Sequence, residues 1–386
     1  MKKLSFSCAL YLALYYSINA IYQGYTSKYF QQQGLSGIPL MLLLVSFPLM
    51  ALFALPFWGT ASDRMKKRRT TLRLATLFSA LLIPCFTLSR SIYLLFPLSC
   101  AFSACFAAIQ PMGDSLILEK LQQDRRPFGP VRFFGCIAFA LTNLAAGFLL
   151  KDDYSFIPLT VAMGLMVLLL ATALLPDYPG HQKKEEKQAF IQVLRLPHIV
   201  PLMLLLIVLQ LCMGYFYSYF SIYFTALPGS SSTLLGLAYF ISSTSEIPFL
   251  LFGHKLFKRW GAGRMMLLSS AAMAVRFALL GLTGHVAIAL SSQVLHGLGF
   301  IVMTVCTSQY VSLTAPDELK TSAQMLLSVV GLGIARVPGI LLGGLVSRAM
   351  GGEAGGFLLM SVLSLAALCI FAPCFLRLPP LNGDTM

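Results

Sequence analysis

The sequence predicts an all-α integral membrane protein of twelve transmembrane helices, and three observations carry that reading. Of 386 residues, 57% are hydrophobic and 11% charged, and the mean hydropathy is +0.78. Soluble domains carry about 25% charged residues, so this chain has too few charges to coat a water-facing surface. Apolar windows bounded by charge or by Gly, Pro and Ser recur along the chain, most near the ~20 residues a helix needs to cross a ~30 Å hydrocarbon layer. In lipid every backbone polar group must be paired within its own segment, so these windows are helices.

The windows lie near residues 6–29, 38–60, 71–89, 92–115, 132–150, 155–175, 199–226, 233–253, 265–283, 286–312, 322–346 and 355–376. The first follows Met1-Lys2-Lys3, but it is too long for a signal-peptide core and lacks a small-x-small cleavage site, so it reads as a retained span. With the N-terminus cytoplasmic, 22 of the 28 Lys and Arg residues fall in inside connections. Four fall outside (Lys28, Arg90, Lys151, Arg348) and two, Arg276 and Arg336, lie within spans. This asymmetry predicts that both termini are cytoplasmic and that the protein is multi-pass in the cell membrane. It also accounts for the formal net charge of +14 without a nucleic-acid partner. The nine cysteines all lie in apolar stretches, with no CxxC or CxxH spacing. They predict small buried residues, with neither disulfides nor a metal site.

The longest connection, 177–198, carries Lys183-Lys184-Glu185-Glu186-Lys187 and divides the chain into six-helix bundles 1–176 and 199–386. The halves repeat weakly. Arg64 maps to Arg259 at an offset of 195, and Gly135 and Gly147 map to Gly331 and Gly343 at 196. Agreement with the loop-defined midpoint predicts two parallel repeats.

Ionisable side chains are costly in a bilayer, at least about 2.5–3.5 kcal/mol near its centre, so each marks a cavity or a partner. The sequence places Asp114, Glu246, Arg276, His296 and Arg336 in spans. They serve either as structural ion pairs or as the lining of a path for a polar solute or a proton. The first helix presents Tyr15, Asn19, Tyr22 and Gln23 on one face, which suits a wet wall. Gln110, Asn143, Gln210, Gln293, Gln309 and Gln324 add uncharged hydrogen-bonding groups, and the seventh helix carries Tyr215, Tyr217, Tyr219 and Tyr223. Aromatic faces with amides and a few charges suit a small neutral polyhydroxylated or heterocyclic solute. No Gly-x-Ser-x-Gly, phosphate loop or metal-ligand spacing is present, so the chain reads as neither an enzyme nor a cofactor protein.

Two motifs carry a family resemblance. Gly59-Thr60-Ala61-Ser62-Asp63-Arg64-Met65-Lys66-Lys67-Arg68 resembles the signature loop of the major facilitator superfamily, with Lys66 in place of a glycine. The resemblance implies that Gly59, Asp63 and Arg64 form a conformational latch on the cytoplasmic side. Phe128-Gly129-Pro130-Val131-Arg132-Phe133-Phe134-Gly135-Cys136 is similar to the corresponding stretch of the lactose permease family. That likeness implies solute contacts from Asp114 and Arg132 and a stacking face at Phe139, where the family has Trp. Ser245-Glu246-Ile247-Pro248, Ala274-Val275-Arg276-Phe277, Val294-Leu295-His296-Gly297 and Ser322-Ala323-Gln324 extend the resemblance to a branch described as lactose-permease-like, nucleoside–proton symporter-like or phenylpropionate permease-like.

The resemblance implies a monomeric secondary transporter of a sugar, oligosaccharide or nucleoside-like solute, moving it with H+ by alternating access through a cavity between the halves. Proton coupling is expected at Glu246, Arg276, His296 and Asp114, and solute contact at Asn19, Gln23, Asp114, Arg132, Phe139, Tyr217 and Glu246. The family's proton-carrying carboxylate stands where this chain has Gly299. That difference keeps open an uncoupled facilitator, or a proton antiporter exporting aromatic or amphipathic compounds.

Overall fold

The computed structural model describes residues 3–64, 67–126, 128–179, 192–196, 198–316, 319, 323–324, 326–327 and 329–376. Most of the expected linker 177–198, both chain ends, Ser322 and the side chain of Asp63 lie outside the described residues. The described chain is helical. In order, α1 is Lys3–Gln32, α2 Gly37–Arg64, α3 Arg68–Thr87 with a 3₁₀ end, α4 Ile92–Gln123, α5 Gly129–Leu150 and α6 Ile157–Leu174. Then follow α7 Ile199–Ala226, α8 Ser232–Gly253, α9 Arg259–Thr283, α10 Val286–Val311, α11 Val329–Ala349 and α12 Glu353–Phe375. Among the described residues eleven helices, α2 to α12, are long and apolar enough to cross a membrane. The 30-residue α1, with its tyrosines and amides, is not among them.

Local chemistry explains the boundaries. Proline enters at the first turn of α5 and α6 (Pro130, Pro158), where its missing N–H costs nothing. Lys151 and Gly284, at φ 44° and 61°, end α5 and α9 in the left-handed region. Two boundaries differ from the sequence expectation. The connection expected at 254–264 is helical, because Lys and Arg are good helix formers; one helical run extends over Ile247–Thr283, broken only at Gly261 (φ 74°). Conversely α8 is not continuous: its first helix ends at Thr244, and a new one starts at Ile247 with Pro248 in its first turn. Proline cannot donate to the carbonyl one turn earlier, so the break falls at Ser245-Glu246.

The chain divides into two compact units, Met1–Gln182 with Ser231–Phe240, and Lys183–Ser230 with Ile241–Met386. In the first, α1 packs on α5 and α6, α2 on α4, and α3 on α4 and α6. Its aromatic core joins Tyr22, Phe47, Phe86, Phe102 and Phe106. In the second, α7 packs on α11 and α12, and α9 on α10 and α12, around Tyr215, Tyr223, Phe277 and Phe357. The cysteines are only partly as expected: Cys8, Cys212 and Cys306 are buried, but Cys369 is exposed on α12.

Candidate functional site

In the second unit the break in α8 meets a second irregularity in α10. Residues 297–301, directly after His296, form a π-turn. A Cβ on Gly297 would lie 2.0 Å from the Ser245 carbonyl oxygen, so only glycine permits this approach of α8 and α10. The Gly297 N–H donates to Ser245 Oγ at 2.8 Å. The two breaks interlock and bring Glu246 to His296.

The ionisable groups there form one chain. Arg276 Nη1 lies 2.8 Å from His296 Nδ1. A guanidinium can only donate, so Nδ1 accepts and the imidazole proton sits on Nε2. Nε2 faces Glu246 Oε1 at 3.3 Å. The neutral imidazole therefore bridges a guanidinium and a carboxylate. Arg276 Nη2 donates to Gln293 Oε1 at 2.6 Å, and its guanidinium stacks 4.0 Å from the Phe216 ring centroid. Gln293 is fixed by its own amide, which donates to Ala289 O at 2.9 Å. Arg276 and His296 are sealed from solvent, at 1% and 2% exposure, while the Glu246 side chain keeps 16%. A small part of the carboxylate is open, and the imidazole and guanidinium behind it are not. Tyr217 stands edge-on to His296 and within electrostatic reach of Glu246, Arg276 and Arg336.

Gly299 lies inside the same π-turn, and a Cβ there would stand 2.8 Å from Met273 Cγ. A carboxylate-bearing side chain at this position would have to displace Met273.

The first unit holds a differently built cluster. Arg132 stacks on Tyr16, with its guanidinium carbon 3.9 Å from the ring centroid. The ring fits against α5 because Gly135 has no side chain; a Cβ there would lie 2.5 Å from it. Gln110 Nε2 donates to Tyr16 Oη at 2.6 Å and lies within bonding reach of Asp114. Asp114 Oδ1 is buried with no hydrogen-bond partner among the described residues, beside Tyr11 and Tyr15. Asn19 accepts from Gln23 at 2.9 Å. Phe139 follows Arg132 by seven residues and accepts, through its carbonyl, from the Asn143 amide at 3.0 Å.

The polar stripes are less wet than expected. Tyr15 and Tyr22 are buried against Phe106, because a phenol ring gains more from aromatic packing than from a water-lined face. Tyr215 and Tyr223 likewise bond within the second unit, to Ser347 Oγ and the Leu280 carbonyl. Of the α7 tyrosines only Tyr217 stands by the charged chain. Tyr16 and Gln293 have roles that sequence reasoning did not assign. Tyr16 could have been found from Gly135, since a glycine facing an aromatic on a packed helix marks a ring seat.

The signature loop is tied to its own unit through its basic residues. Arg68 pairs with Glu119 at 2.8 Å. The Arg69 backbone N–H donates to Asp177 at 3.0 Å, and its guanidinium donates to the Leu175 carbonyl at 2.8 Å. Gly59 faces open space and Arg64 is exposed. Among the described residues no group of three or more His, Cys, Asp or Glu is placed to hold a metal ion.

A family model described as "MFS_1 like family" matches residues 6–355. The maltose permease of Geobacillus stearothermophilus is 29% identical over 345 residues, spanning 86% of this chain and 85% of the permease. A probable 3-phenylpropionic acid transporter of Escherichia coli strain K12 is 24% identical over 303 residues, 78% of this chain and 79% of that one. Among solved structures, the nucleoside transporter NupG matches with a TM-score of 0.83 and 15% identity, over 98% of this chain and 100% of NupG, a likeness of fold. The match over nearly the whole chain and the run of apolar helices make this protein a member of the MFS_1 like family, a multi-span membrane transporter of the major facilitator type.

Proposed function

We propose that the protein is a secondary active transporter of the cell membrane that moves a small polar solute, of sugar, oligosaccharide or nucleoside type, together with H+ by alternating access. The observation that carries this reading is the Arg276–His296–Glu246 chain. An ionised carboxylate in a closed, water-free interior needs either its cation or a proton. The partly open Glu246 can exchange a proton with water, and the imidazole behind it donates its Nε2–H in a hydrogen bond that favours the ionised carboxylate until that exchange. Glu246 is the carrier, and Arg276 with His296 sets its charge state. Asp114, Arg132, Phe139, Asn19 and Gln23 serve the solute from the first unit, and Tyr217 and Glu246 from the second. Asp114 gives a second protonation point, Gly59, Asp63 and Arg64 form the latch, and the bundles 1–176 and 199–386 work as one monomer. The substrates named for the maltose permease and NupG support the sugar or nucleoside class.

The test is transport by purified protein in liposomes, with maltose, uridine and 3-phenylpropionate screened first for thermal stabilisation. Wild-type protein is expected to accumulate the stabilising solute when the outside is acid. Glu246→Gln is expected to exchange solute at equilibrium but not to accumulate it. Accumulation by Glu246→Gln to wild-type levels overturns the assignment. A second reading, facilitated or antiport movement of amphipathic compounds, is favoured by the glycine at 299 backed by Met273; uptake into inverted vesicles that an acid interior drives supports the antiport.

A further inference from the structure

Arg276 and Arg336 are the two basic residues that the charge asymmetry of the sequence does not account for, and their surroundings differ. Arg276 uses its terminal nitrogens on His296 and Gln293 and its face on Phe216. Arg336, the first residue of the α-helix that follows the π-turn Val329–Ile334, donates only Nε, to Gln210 Oε1 at 3.2 Å. Its guanidinium carbon lies 5.1 Å from the Tyr217 ring centroid. A guanidinium has five N–H donors. Those on Nη1 and Nη2 bond no acceptor among the described residues, and the side chain is half-buried rather than sealed.

The local build holds that fork still. A Cβ on Gly214 would stand 2.7 Å from the Arg336 carbonyl oxygen, so α7 and α11 touch here. Gln210, one turn earlier on α7, is thereby held against the Nε edge. Tyr217 covers one face. The free edge carries Nη1 and Nη2, the pair that fits a carboxylate through two parallel hydrogen bonds. Charge points the same way. Of the two acids in the described spans of this unit, Glu246 faces His296, and Glu353 stands at the first turn of α12, within electrostatic reach of Tyr215 and Tyr219. Arg336 is a cation that forms an ion pair with neither of them.

We propose that Arg336 anchors a carboxylate of the transported solute, with Tyr217 and Phe300, whose rings meet edge-on at 6.1 Å, flanking the rest of it. The solute is then a small acid, such as a sugar acid, a nucleoside carboxylate or an aromatic acid, rather than a neutral sugar or nucleoside. This deepens the transporter reading and rests on it for the location of the site, but not for the coupling.

The experiment compares matched acid and neutral ligands on purified full-length protein by thermal shift and equilibrium binding, without a gradient. The pairs are methyl glucuronide and methyl glucoside, orotidine and uridine, and 3-phenylpropionate and 3-phenylpropanamide. In at least one pair the acid is expected to bind about tenfold or more tightly than its neutral partner, the scale of one charge-assisted contact. Arg336→Gln is expected to bring the two members to parity while neutral binding persists, and Arg336→Lys, which keeps charge but not the fork, to restore part of the preference. Equal binding of acid and neutral members by the wild type, or no stabilisation by any of the three acids, overturns the proposal even if the variants do not fold. An acid preference that survives Arg336→Gln also overturns it. Uptake under an acid-outside gradient reads the Glu246 coupling separately, so the two readings can fail independently.

Discussion

The two units carry charged clusters of opposite construction. In the second, the carboxylate, the imidazole and the guanidinium are joined in one line, Glu246 to His296 to Arg276, and Gln293 closes its end. In the first, an aromatic ring and an amide join the cluster: Arg132 lies on Tyr16, Gln110 donates to the Tyr16 hydroxyl, and Asp114 keeps a buried oxygen with no partner among the described residues. A joined line is suited to setting the charge of its carboxylate, since imidazole and guanidinium are hydrogen-bonded in series behind it. An open oxygen is suited to a ligand, since it has a hydrogen bond still to make.

The comparison can be broken most forcefully at Arg276. Replacing it with Leu leaves Glu246 and Gln293 without their buried cation, and breaking such a pair costs about 3–5 kcal/mol. Thermal unfolding in detergent should show the largest fall of any variant discussed here, with gradient-driven uptake lost. Gly297→Val comes next. Its Cβ would meet the Ser245 backbone, which cannot swing away as a side chain can, so the cost should reach or exceed the upper end of ordinary overpacking, about 3 kcal/mol. Gly59→Ala, facing open space, is the matched control and should leave the melting temperature unchanged.

In the first unit the balance reverses. Asp114→Asn removes no hydrogen bond from Oδ1, so stability should stay within about 1 kcal/mol of wild type, while solute affinity falls by about tenfold or more. A large drop in melting temperature with solute affinity intact would mean that Asp114 is structural, and the contrast between the units would be lost. The smallest effect is expected outside the spans. Asp153, fully exposed, is held below the usual carboxylate range chiefly by hydrogen bonds from the Ser155 hydroxyl and backbone N–H. A depressed carboxylate stabilises the folded state above its unfolded value, near pH 4, and loses that contribution as pH falls through the lower folded value. The protection factor of the Ser155 amide, its exchange rate relative to an unstructured peptide at the same pH, should therefore fall at the acid end in the wild type and be low throughout in Asp153→Asn.

Much of this was legible in the sequence. Apolar length gives the helices, and residues at odds with lipid name Asp114, Glu246, Arg276 and His296 without any coordinates. Their order of bonding was not legible. It depends on the break at Ser245-Glu246 and on the π-turn after His296, and neither is encoded by a 3.6-residue period. Tyr16 was passed over because the stripe was drawn through Tyr15 and Asn19, one residue away on a helix that buries both sides. Arg336 could be seen as anomalous but not placed, because its partner Gln210 lies 126 positions away on another helix.

The π-turns at 297–301 and 329–334 have a further consequence of a mechanical kind. A π-turn stores one residue more than an α-turn, and an α-helix advances about 100° per residue. If either segment returned to α-helical pairing, everything beyond it would screw round by about that angle. Arg336, two residues past one turn, and His296, immediately before the other, sit where such a screw would act. A shift of one hydrogen bond in the backbone would re-aim a whole helix face, with no hinge, no loop and no change in the length of the chain.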